Sequence, residues 1–176
     1  VTLNANVTVT GSGAIDIDAG RQISVNGGGA VASASGAITL DANVSGLATG
    51  YFTGVFVANT ASVSSTTGDI TVTGRGGDAA ANGNHGVQVE DTAAITSLGG
   101  NITLTGQAGG TGATNFHEGV IIGGDVTTTG SGNITLNGTG GSTSTGGVNI
   151  GVDLISATVS AVNGTVTING VSGVGS

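Results

Sequence analysis

The sequence predicts an all-β chain wound as a right-handed parallel β-helix, a β-solenoid with three strands per coil. Two observations lead there. One short phrase returns at a fixed spacing, and within it apolar and polar residues alternate. A fixed period of a few tens of residues marks a repeat architecture. Alternation marks strands with one face buried.

The phrase reads Gly36-Ala37-Ile38-Thr39-Leu40, then Gly68-Asp69-Ile70-Thr71-Val72, Gly100-Asn101-Ile102-Thr103-Leu104, Gly132-Asn133-Ile134-Thr135-Leu136 and Gly164-Thr165-Val166-Thr167-Ile168. Its glycines stand 32 residues apart. Thr, Val and Ile are β-branched and suit a pleated, half-buried surface. The leading Gly supplies a corner that a residue with a Cβ resists.

Residues 1–35 use shorter spacing. Strands are expected at Val1–Leu3, Val7–Val9, Ile15–Ile17, Ile23–Val25 and Val31–Ser33. From Ile15 to Ile38 is 23 residues, one coil of strands a (Ile15), b (Ile23) and c (Val31). Residues 36–176 hold the longer repeats of one continuous solenoid, and there the a-to-b step grows while the c-to-a step stays the same. Each long repeat is therefore the short coil plus a nine-residue insertion between a and b. The insertions are residues 42–53, 74–85, 106–117 and 138–149, which stack into a wing on one side of the rod. The core columns do not require them.

The expected inward columns are Ile38, Ile70, Ile102, Ile134 and Val166, then Leu40, Val72, Leu104, Leu136 and Ile168. Strand b contributes Val55, Val87, Val120 and Val152, with a one-residue slip in the last two. Strand c contributes Val63, Ile95, Thr127 and Val159, with Thr127 a weak layer. Parallel crossovers are right-handed in nearly all proteins. About six layers at ~4.8 Å give a rod on the order of 30 Å long.

Composition narrows function. Glycine supplies 37 of 176 residues, and Pro, Cys, Met and Trp are absent. Arg21 and Arg75 are the only cations, against a net charge of −8. Nucleic-acid partners need clustered Lys and Arg, so they are not expected. No apolar run approaches the ~20 residues that cross a bilayer. Without cysteine there is neither a disulfide nor a thiolate metal site. The chain starts in mid-pattern at Val1, which suggests a piece of a longer parent.

The pattern of Gly-x-Ile-Thr-Leu-Thr-Gly, a Gly-rich loop, His85-Gly86-Val87-Gln88-Val89, a short strand and a return to Gly resembles the β-solenoid repeats of filamentous-haemagglutinin-like bacterial surface proteins. The resemblance covers residues 36–170. It implies a stalk segment of a large secreted or cell-surface adhesin. Its partners would be flanking coils, end-to-end or lateral copies of itself, and carbohydrate or a cell surface. The lack of cysteine suits proteins that cross an outer membrane unfolded, as that family does. The short first coil departs from the repeat, so a different subregion could meet it near residue 35.

The residues suggest candidate sites, each with a plainer alternative. Tyr51, Phe52 and Phe116 are three of four aromatics and lie at loop ends, with Phe52 and Phe116 at one repeat position. Exposed rings there would stack on sugars; otherwise they staple the loop to the rod. His85 and His117 share a position, with Thr53 and Asn149 as equivalents, and could share a metal with Asp78 or Glu118. Two His without a firm third ligand make a poor site, so a hydrogen-bonded corner ladder is the alternative, and no cofactor is expected. Asp16 and Asp18 lie two apart on a strand, a spacing of ~7 Å that inverting glycoside hydrolysis uses; with no neighbouring group to raise one pKa and few cations to hold a uronate, solvated strand surface is the preferred reading. Asp69, Asn101 and Asn133 form a column suited to calcium or to an Asn ladder. Thr39, Thr71, Thr103, Thr135 and Thr167 raise an ice-binding array, but the partner column Asp41, Thr73, Thr105, Asn137, Asn169 interrupts it. Asn-x-Ser/Thr triplets such as Asn101 arise naturally from strand composition. The reading is therefore a non-catalytic structural and interaction protein. A carbohydrate-active β-helix enzyme or carbohydrate-binding module is the alternative, and an ice-binding solenoid a further one.

Overall fold

A computed structural model describes residues 1–143 and 145–173. Part of the expected 138–149 insertion, Ser144, and the last three residues of the 36–176 repeat region lie outside the described residues. No helix occurs among those described. Eighteen strands among the described residues follow one another in threes. The first two coils are β1 (Thr2–Leu3), β2 (Val7–Val9), β3 (Ile15–Ala19), and β4 (Ile23–Val25), β5 (Ala30–Ser33), β6 (Ile38–Ala42). Next come β7 (Val55–Val57), β8 (Ser62–Ser65), β9 (Ile70–Arg75), and β10 (Val87–Val89), β11 (Ala94–Ser97), β12 (Ile102–Gln107). The last are β13 (Val120–Ile122), β14 (Asp125–Thr128), β15 (Ile134–Thr139), and β16 (Val152–Leu154), β17 (Thr158–Ala161), β18 (Val166–Val171).

Every third strand pairs in parallel, which makes three six-stranded sheets and a parallel β-solenoid. The a sheet is β3-β6-β9-β12-β15-β18, the b sheet β1-β4-β7-β10-β13-β16, and the c sheet β2-β5-β8-β11-β14-β17. Ile15, Ile38, Ile70, Ile102, Ile134 and Val166 face one another in register, as do Ile17, Leu40, Val72, Leu104, Leu136 and Ile168. From Ile38 to Leu136 these side chains are fully buried. Burying one such residue contributes about 1.5–3 kcal/mol. The interior is built of repeated small increments rather than one large core.

Layers this close need corners without side chains. A Cβ on Gly36, Gly68, Gly100, Gly132 or Gly164 would overlap the carbonyl of the corner glycine in the coil before it, beginning with Gly13. A buried hydroxyl sits under the same corner. Ser33, Ser65 and Ser97 Oγ accept the Gly36, Gly68 and Gly100 amides at 3.0, 2.9 and 2.9 Å. That bond offsets the cost of a polar group in an apolar interior.

One column differs from expectation. Val126, not Thr127, stacks on Ile95 and Val159, and Thr127 pairs with Thr96 and Ser160. The corner Gly123-Gly124 is two residues shorter than Glu90–Ala93 before β11, while the insertion ahead of β13 is one residue longer. A count at period 32 misses both changes. The column is unbroken, and Val126 is fully buried.

Candidate functional site

The wing grows from a pinched base. Gly54, Gly86, Gly119 and Gly151 precede strand b in the four winged coils. A Cβ on Gly74, Gly106 or Gly138, at the end of strand a, would overlap the carbonyl of Gly86, Gly119 or Gly151. The two legs of these three loops therefore cross backbone to backbone, whereas Ala42 stands at the same position in the first wing. The wing is also laced to its neighbours. The amides of Gly77, Gly109, Gly141 and Gly173 donate to the carbonyls of Phe52, Asn84, His117 and Asn149 in the preceding coil, at 3.0, 2.9, 3.0 and 2.7 Å.

Each returning leg carries a buried anchor. Asn84 is fully buried; its Nδ2 donates to Ala79 and Ala81 carbonyls at 3.1 and 2.7 Å, and its Oδ1 accepts the Phe52 amide at 3.3 Å. Asn149, also buried, donates to the Gly146 carbonyl at 2.7 Å. In the coil between them the anchor is His117, whose Nε2 lies 2.8 Å from Thr114 Oγ1. Each of these side chains turns back on the residue three positions earlier. The loops are thus ordered from inside, by groups that satisfy backbone atoms no strand pairs.

This arrangement corrects two expectations. His85 and His117 do not share a repeat position. The extra residue before β13 places His85 beside Glu118, with the Gly54 amide on the His85 carbonyl and the Gly86 amide on the Glu118 carbonyl. His117 stands instead with Phe52, Asn84 and Asn149. For the same reason Phe116 is the equivalent of Gly83, not of Phe52, and the Gly83 amide donates to its carbonyl.

His117 Nδ1 accepts the Asn84 amide at 3.3 Å. Its Nε2–H then faces Thr114 Oγ1, whose own hydroxyl donates to the Thr111 carbonyl at 3.0 Å. Both ring nitrogens are occupied in the neutral form, and a proton on Nδ1 would point at an N–H. Burial, and secondarily the neighbouring His85, push the His117 pKa below the ordinary histidine value, partly opposed by Glu118. His85 Nδ1 lies 2.8 Å from Glu118 Oε2, close in distance but outside hydrogen-bond alignment. Asp78 Oδ1 accepts the Gly50 amide at 2.8 Å. Among the described residues no three His, Cys, Asp or Glu side chains form a metal-binding group.

The aromatics divide. Phe52 is buried, 3% exposed, with the Arg21 guanidinium 4.8 Å from its ring centre. It staples the loop. Tyr51 and Phe116 are 58% and 50% exposed. Phe116 and Val148 hold φ of 61° and 59° where Gly83 has 86°. Left-handed backbone suits glycine and strains side chains, β-branched ones most.

The remaining candidates sit on the outer a face. Asp16 and Asp18 are exposed, and Asp18 pairs with Asp41 of the next coil. The Asp69, Asn101 and Asn133 column is a ladder: Asp69 Oδ1 accepts the Asn101 amide at 2.7 Å, Asn101 Oδ1 the Asn133 amide at 2.9 Å, and Asn133 Oδ1 the Thr165 amide at 2.8 Å. The five Thr residues of the a strands lie in register. Sequence reasoning overlooked the Asn84 and Asn149 anchors. The signal was there, an Asn two residues before the wing-closing glycine in both loops.

Fold and wing together define a β-solenoid repeat protein. No protein-family model, curated protein or solved structure matches the chain.

Proposed function

We propose that this chain is a rigid stalk or fibre-forming segment of a secreted or cell-surface adhesin, and that it is not an enzyme. The observation that carries the reading is the register. Three parallel sheets keep the same inward columns through all six strands each, across coils with and without a wing. A scaffold of that kind sets distance and direction and needs no reacting group.

The last coil supports a further partner. Leu154, Val166 and Ile168 continue the buried columns yet are 43%, 38% and 46% exposed. Open strand edges over an uncovered core pair readily with another strand. A coil of the same kind from a second copy, stacked end to end, matches that surface.

Antibodies against the purified chain should label intact, unpermeabilised source cells or their culture medium. Surface proteolysis should remove the cell label. Labelling that appears only after lysis would overturn the surface assignment. For the non-enzyme reading, turnover of a polysaccharide that disappears in Asp16→Asn or Asp18→Asn would overturn it.

A further inference from the structure

Three of the four aromatic side chains, Tyr51, Phe52 and Phe56, meet at one groove on the outer b face. Gln22, Thr53, Gln88 and Glu90 complete its lining, and its volume is ≈ 520 Å³. That falls in the range of ligand clefts, about 300–1,000 Å³. Gln22, Phe56 and Gln88 come from three successive coils, so the groove runs about 10 Å along the rod.

We infer that this groove binds a neutral oligosaccharide. Tyr51 offers an exposed ring that is held in place. Arg21 Nη2 donates to the Tyr51 carbonyl at 3.2 Å and its guanidinium covers Phe52. On the other side the Tyr51 ring edge lies against Gly83 of the next coil, near where a Cβ would stand. Phe56 is half-buried on the groove floor, next to Gln88 in strand register. Two aromatic faces suit the C–H faces of sugar rings.

The polar groups suit hydroxyls. Gln22 and Gln88 are part-exposed, and each carboxamide offers both a donor and an acceptor. Glu90 uses Oε2 on the Asn59 amide at 2.8 Å, which leaves Oε1 for a ligand. The nearest cation, Arg21, is not among the lining residues, and its guanidinium is engaged on the Phe52 ring and the Tyr51 carbonyl. A uronate or a phosphate would meet the Glu90 carboxylate and a chain of net charge −8. A peptide strand would find no free edge here, because the b strands pair with each other on both sides from β4 to β13. A neutral sugar chain needs neither charge nor an edge. This inference does not depend on the stalk reading, since a lone spacer needs no such groove.

The chain reports on its own groove, because Tyr51 is its only tyrosine and it has no tryptophan. Cellotetraose, maltotetraose, mannotetraose and chitotetraose would be titrated against tyrosine fluorescence, with oligogalacturonate as the acidic probe. At least one neutral tetrasaccharide should give a saturable change. Gln88→Ala and Phe56→Ala should each weaken it about tenfold or more, while Phe116→Ala, on another coil, should leave it unchanged. The inference is overturned if no neutral probe saturates, if only the uronate binds, or if binding is unaltered by Gln88→Ala and Phe56→Ala. Circular dichroism of the same variants separates loss of binding from loss of fold.

Discussion

Two connections in this molecule join the same pair of sheets. Between β3 and β4 the chain uses three residues, Gly20-Arg21-Gln22; between β12 and β13 it uses twelve. Both deliver the next strand to the same column, Ile23 on Val55 on Val87 on Val120. The core therefore does not set the length of the connection. What the longer one requires is local: a crossing of two glycines at its base and a buried side chain on its returning leg.

The position just before strand b sharpens that contrast most. It is Gln22 in the wingless coil and Gly119 in the winged one. A Cβ on Gly119 would overlap the backbone of Thr139 in the next coil and press on Gly151. Gly119→Ala should cost about 3 kcal/mol, since crowding a packed backbone is at the upper end of such changes. Gln22→Ala should stay within about 0.5 kcal/mol. Urea unfolding of both variants measures the difference; equal losses would mean that the winged base is no tighter than the plain turn.

A smaller effect separates one wing from the others by pH. His117 takes the place that Asn84 and Asn149 hold elsewhere, and its folded-state pKa is depressed, chiefly by burial. The unfolded chain then binds a proton more readily than the folded one, so stability falls as pH drops below the ordinary histidine range. The loss levels off once pH is below the folded value. His117→Asn should flatten this part of the Tm-against-pH curve between about pH 7.5 and 5, with His85 and Glu118 left in place. An unchanged slope would assign the acid sensitivity to other groups.

The smallest expected change is a gain. Val148 holds left-handed backbone at the place where Gly83 stands in an earlier wing. Val148→Gly should stabilise by about 1 kcal/mol, the usual relief of such strain. A loss instead would show that the exposed Val148 side chain packs on the wing more than it strains it.

The sequence made the solenoid legible because its columns rest on one residue per strand at fixed spacing. Ile38, Ile70, Ile102 and Ile134 needed only counting. The wing resisted counting. One added residue before β13 moved His117 from beside His85 to beside Asn84, and a corner shortened by two moved Val126 into the place expected for Thr127. Insertions in loops leave no mark in strand periodicity. The groove was hidden for another reason. Gln22, Phe56 and Gln88 lie more than thirty residues apart, on outward positions whose polarity is free to vary, and only winding brings them together.

The corner glycines have one more consequence, for how such a rod changes length over time. Gly36, Gly68, Gly100, Gly132 and Gly164 each sit on another glycine of the same column. At this corner the upper surface of one coil is therefore matched to the lower surface of any other. A duplicated or deleted 32-residue unit would meet its new neighbours with the same fit as the old ones, provided the cut falls at the same place in both copies. Unequal recombination at the repeated phrase does that by default. Rod length can then drift by whole coils with no compensating substitution, whereas a single Ala at one of these glycines would spoil a junction.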